Sequence, residues 1–97
     1  MNKTEERYAT LLGARLRLGE ISWFGFESAT LRIADGCRYT PDFAVLIDGR
    51  LEFHEVKGAF IRDRALVKPM AAASLFPWRF IVAQWLRGAW SYREMRP

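Results

Sequence analysis

Two carboxylates and an amine fall close together near the middle of this chain, in the runs Tyr39-Thr-Pro-Asp-Phe43 and Glu52-Phe-His-Glu-Val-Lys57. Asp48-Gly49 lies between two apolar runs, a strong hairpin signal because both residues tolerate the positive φ of a type I′ turn. A two-residue loop there pairs Leu46 with Leu51, Ala44 with Phe53 and Asp42 with Glu55. Side chains alternate along a strand, so Asp42, Glu55 and Lys57 share one end of an otherwise apolar face. Like charges directly opposite one another destabilise a sheet. A divalent cation removes the conflict, since paired carboxylates are the hard oxygen ligands that Mg²⁺ or Mn²⁺ accepts. An ammonium two residues from one of them can hold or activate a water. The chemistry this spacing suits is metal-assisted hydrolysis. The plainer alternative is an amphipathic hairpin whose charged end reaches solvent.

The elements that must position these groups are also legible. Residues 3–17 place Tyr8, Leu11, Leu12 and Leu16 on one helical stripe, with Thr4 as the expected N-cap. Glu5 falls on the buried side of that helix and can look toward the site, whereas Glu6 falls on the solvated side. Strands are expected over 21–27 and around Leu31 and Ile33, followed by a turn at Asp35-Gly36. A helix is expected over 63–76, with Pro69 forcing either a start near Leu66 or a kink, and Pro77 stopping it. A strand over 78–84, a turn at Arg87-Gly88 and a short strand over 89–93 complete the chain.

Composition narrows the function classes. The 97 residues make one domain of modest core, and a hydrophobic content of 51% excludes disorder. No apolar run approaches the length of a membrane span, and the first residues lack a signal-peptide pattern, so no membrane partner is expected. Cys37 is the only cysteine and His54 the only histidine, which removes disulfides, thiolate clusters and histidine-pair metal sites and suits a cytoplasmic setting. The net charge is +4, with twelve arginines against three lysines. Guanidinium is a bidentate phosphate ligand, so a polyanionic substrate is expected. Arg62, Arg64 and Lys68, just beyond the hairpin, are candidates to follow a nucleic-acid backbone or to form a solvated basic face. Trp23, Trp78, Trp85 and Trp90 suit core or dimer contacts better than base stacking. His54 belongs to the face opposite the acids and reads as a packed or surface side chain. Gln84 is a weak candidate to touch a site water or phosphate.

Pro41-Asp42 followed by Glu55-Val56-Lys57, with twelve residues between the two acids, resembles the PD-(D/E)XK nuclease signature. With Lys3-Thr4-Glu5 in an opening helix, Gly58 after the lysine, and Lys68, Ala71, Ala72, Pro77 and Phe80 beyond, the chain is similar to the small phage-type endonucleases of that superfamily. The resemblance implies an α/β, restriction-endonuclease-like αβββαβ core, a mixed sheet flanked by helices. It implies Asp42, Glu55 and the Val56 carbonyl as Mg²⁺ ligands, Lys57 acting on the attacking water, and Glu5 in the outer shell or on a second ion. The implied activity is DNA phosphodiester hydrolysis, on branched or recombining DNA, by a bacterial or phage-encoded homodimer. A non-catalytic nucleic-acid-binding module on the same fold is the alternative. Pro69 and the residues after Gln84 depart from the family pattern.

Overall fold

The computed structural model describes residues 1–96. Helix α1 (Lys3–Arg17) opens the chain, and β1 (Trp23–Phe26), β2 (Leu31–Ala34), β3 (Cys37–Tyr39), β4 (Phe43–Ile47) and β5 (Arg50–Lys57) follow. Helix α2 (Val67–Leu75), β6 (Arg79–Leu86) and β7 (Ala89–Met95) close it. The result is a mixed α/β fold with a five-stranded sheet in the order β1-β4-β5-β6-β7 and a separate β2-β3 hairpin. All neighbours in the large sheet are antiparallel except β5 and β6, which run parallel because α2 carries the chain across between them. The helix-three strands-helix-strand core is therefore present, with the β2-β3 hairpin inserted and β7 added at an edge. Among the described residues, no helix is long and apolar enough to cross a membrane.

Alternation along the central strands gives each helix its own face. Tyr8 and Leu12 of α1 pack with Ile21, Phe43, Val45, Val56 and Ala83. Ala72 of α2 packs with Ala44, Phe53, Phe80 and Val82, and the β2-β3 hairpin joins this second layer through Tyr39, Leu31 and Ile33. Phe43 and Ala44, consecutive residues on β4, belong to different layers, as a period of two requires. Tyr8, Phe43, Phe80, Leu12 and Val45 are fully buried. Each such side chain contributes about 1.5–3 kcal/mol of burial free energy.

The hairpin register is the expected one. Leu46 pairs with Leu51, Ala44 with Phe53 and Phe43 with His54, and the turn residues Asp48 and Gly49 have φ of 52° and 76°. The β6-β7 turn repeats the device at Arg87 and Gly88, with φ of 54° and 76°, and β7 extends two residues further than its alternation suggested. Two helix starts differ from expectation or resolve it. The α1 N-cap is Asn2, not Thr4: its side chain accepts from the Glu5 amide and Glu5 Oε1 accepts from the Asn2 amide, both at 2.8 Å. Asn-x-x-Glu satisfies two orphan donors reciprocally, which threonine at position 4 with Arg7 three residues on cannot do. Helix α2 starts late, at Val67, so Pro69 sits in the first turn, where its missing N–H costs nothing.

Candidate functional site

Asp42 is placed by backbone on both sides. Pro41 before it is fully buried, Phe43 after it begins β4, and its own carbonyl accepts from the Glu27 amide at 2.9 Å. Its side chain reaches across to β5, where Oδ2 accepts from the Val56 amide at 2.7 Å. Phe43 and His54 are the last ladder pair, so Asp42 and Glu55 stand next along the same two strands. Glu55 is held from two directions. The Tyr39 hydroxyl donates to Oε1 at 2.5 Å, and Lys57 Nζ lies 3.3 Å from Oε2. Asp42, Glu55 and Lys57 are all half-buried.

The electrostatics report the conflict expected of paired acids. Burial, then the Glu55 charge, push the Asp42 carboxyl up to about 7, against the opposing pull of the Val56 amide. The Glu5 carboxylate adds to the repulsion and the Lys57 ammonium lessens it. Burial and the adjoining Glu55 also raise the Tyr39 phenol, which therefore remains a hydrogen-bond donor.

The expected residues are not all equally close. Asp42, Glu55 and Lys57 converge. Glu5 is near enough to weigh on Asp42, but one of its oxygens caps α1. Among the described residues no group of three or more His, Cys, Asp and Glu side chains is gathered as a metal cluster. The pair Asp42 and Glu55 nonetheless fits a hard divalent cation: its donors are oxygens, half-buried, and mutually repulsive until a positive charge joins them. The Val56 amide is engaged with Asp42.

Beyond the hairpin, Lys68 Nζ donates to the Arg38 carbonyl at 2.7 Å and so ties α2 to β3. Arg64 and Lys68 line a cavity of about 520 Å³ beside Glu55, while Arg62 is exposed outside it. Gln84 donates to the Gly58 and Ala59 carbonyls, both at 3.2 Å, and fixes the loop that follows Lys57. At the tip of that loop Phe60 is 81% exposed. Of the tryptophans, Trp90 packs on Tyr8 with centroids 4.8 Å apart and on Trp85 at 5.2 Å, and Arg7 stacks over Trp85. Trp23 and Trp78 remain partly exposed. Cys37 is a half-buried free cysteine in β3.

Sequence reasoning missed Tyr39 and Arg38. Both lie on β3, and only the folding of the small hairpin over the α2 face brings them to Glu55 and its cavity. The one available signal was the alternation Cys37-Arg-Tyr39 leading into Pro41-Asp42, which puts Tyr39 on the inward side.

No family model and no curated protein matches the chain. Among solved structures the fold is similar to that in the crystal structure of SSO0001, at 15% identity and a TM-score of 0.45, over 91% of this chain and 52% of that one. The chain spans about half the length of that protein, and a likeness of this degree carries no weight for function.

Proposed function

We propose that the protein is a Mg²⁺-dependent endonuclease that hydrolyses DNA phosphodiester bonds at Asp42, Glu55 and Lys57. The observation that carries the reading is the pair of half-buried carboxylates with Asp42 raised to about 7 and an ammonium 3.3 Å from Glu55. Structural ion pairs lower a carboxyl, whereas burial beside a second acid raises one, and carboxyls perturbed in this way gather at functional sites.

Asp42 and Glu55 would hold the ion, which when bound supplies Lewis acidity and a lowered pKa for water. The chain's own groups do the rest. Tyr39 fixes one oxygen of Glu55 and leaves the other facing Lys57. The Val56 amide fixes one oxygen of Asp42 and leaves its second free. Lys57 orients the attacking water against the phosphorus and offsets charge on the phosphate oxygens. Water adds across the P–O bond, giving a phosphomonoester and an alcohol that takes the proton. The net charge of +4 draws the polyanion to the site.

The test is incubation of purified protein with plasmid and with a four-way junction, in Mg²⁺ or in EDTA. Cleavage in Mg²⁺ alone supports the reading. Binding without cleavage replaces it with the non-catalytic module, and neither binding nor cleavage removes both.

A further inference from the structure

The cavity beside Glu55 shares only that residue with the catalytic trio, and the rest of its lining has a different chemistry. Its walls are Arg38, Tyr39 and Thr40 of the small hairpin and its exit on one side, and Arg64, Ala65, Val67, Lys68 and Pro69, leading into and beginning α2, on the other. Three of its lining groups are cationic, Arg38, Arg64 and Lys68, against the single acid Glu55. Among the described residues neither Arg38 nor Arg64 makes an ion pair, and both are exposed. Lys68 holds the two walls together through the Arg38 carbonyl, so the guanidinium groups are carried by elements fixed relative to each other.

Unpaired guanidiniums around a concavity are suited to a phosphate group, which accepts bidentate hydrogen bonds from each. A volume of about 520 Å³ exceeds what a bare phosphate fills and admits a nucleotide unit. The nearest acid is Glu55, so whatever occupies the cavity is continuous with whatever is bound at the carboxylates. We infer that the Arg38–Arg64 cavity seats a second phosphate of the substrate strand, next to the one that is cleaved, making the enzyme selective for polynucleotides over isolated phosphodiesters. The inference rests on the nuclease reading of Asp42 and Glu55 and assigns Arg38 and Arg64 to substrate positioning rather than to the reacting phosphorus.

The experiment compares wild type with the double variant Arg38→Ala/Arg64→Ala on two substrates in Mg²⁺: a labelled DNA oligonucleotide and bis(p-nitrophenyl) phosphate, which has one phosphate only. Arg38→Ala retains the backbone carbonyl that Lys68 binds, so the tie between the walls survives. The expected result is a fall in kcat/KM of roughly 10- to 100-fold on the oligonucleotide, with bis(p-nitrophenyl) phosphate turnover unchanged. In EDTA, the slope of oligonucleotide affinity against salt, read by fluorescence anisotropy, falls by about 1 to 2. Arg38→Lys/Arg64→Lys restores most of that slope, and Arg50→Ala, at the far end of β5, leaves it alone. Equal losses on both substrates, or no loss on either with an unchanged slope, overturn the inference. If wild type turns over neither substrate, the nuclease reading fails by itself and the EDTA slopes still decide whether the cavity takes a phosphate.

Discussion

Strand β5 carries two glutamates three residues apart, and the fold treats them in opposite ways. Glu52 faces α1 and is buried, yet every charge around it is favourable. Its Oε1 lies 3.0 Å from His54 Nε2 and its Oε2 accepts from Arg79 Nη1 at 3.0 Å. His54 Nδ1 meets the Tyr8 hydroxyl at 2.5 Å, and Arg79 reaches on to Glu94 at 2.8 Å. The hydrogen bond from His54, ahead of the Arg79 charge, holds the Glu52 carboxyl below its usual range. Glu55, on the other face, adjoins a second acid instead, and that acid is pushed up to about 7. The difference separates a carboxylate satisfied within the fold from the one the proposed nuclease reading assigns to metal binding. Partners that satisfy the buried charge of Glu52 lie in direct contact with it, whereas Asp42 accepts from the Val56 amide and stands beside a second acid that is itself paired with Lys57.

The sharpest way to break this contrast is to remove each acid of the open pair. Asp42→Ala and Glu55→Ala are expected to lower Mg²⁺-dependent plasmid cleavage by at least ~10³-fold, about 4 kcal/mol of barrier, without lowering the melting temperature. Substantial cleavage by both variants would end the distinction. Lys57→Ala should slow turnover by roughly 10²-fold, within the range of a general acid–base group, and leave Mg²⁺ affinity in a calorimetric titration nearly unchanged.

The closed network should fail differently. His54→Ala strips Glu52 of one partner and removes the His54 nitrogen from the Tyr8 hydroxyl, a loss of about 2–4 kcal/mol. Thermal unfolding should fall by roughly 10–20 °C, while kcat of the remaining folded protein holds. A variant that loses cleavage but keeps its stability would mean that the α1 face takes part in the chemistry.

The smallest effect is in pH. With a folded value near 7 against an ordinary 3.8, Asp42 contributes stability that is fully present below about 3.8 and lost as pH rises through 7. Metal-free protein should therefore lose stability as pH rises from 4 to 8 in denaturant titrations. Asp42→Asn should flatten that loss. Because a proton competes with the metal for the same carboxylate, Mg²⁺ affinity should rise over the same interval. A flat affinity between pH 5 and 8 would show that Asp42 is already ionised in the free protein.

The central hairpin was legible because its signals are local. Asp48-Gly49 fixes the turn, alternation fixes the face, and together they put Asp42, Glu55 and Lys57 side by side. The same alternation sent His54 to the other face, where it is 2% exposed. Helix α1 was legible as a stripe, but its cap was read two residues late, since Thr4 and Asn2 are both good N-caps and only the reciprocal bond to Glu5 distinguishes them. Glu52 drew no attention because nothing next to it in sequence other than His54 explains a buried acid; Arg79 and Tyr8 come from distant parts of the chain.

By itself, then, the sequence determined the pairings that period-two alternation and a tight turn dictate: which acids oppose each other, which face they share, and that an amine accompanies them. Tertiary structure alone decided what surrounds those acids. The β2-β3 hairpin brings Tyr39 onto Glu55, α2 and Arg38 shape the adjoining cavity, and β6 carries Arg79 to Glu52. The physical reason is range: backbone periodicity acts over a few residues, while the charge and burial that set a carboxylate's pKa come from elements that only packing brings together.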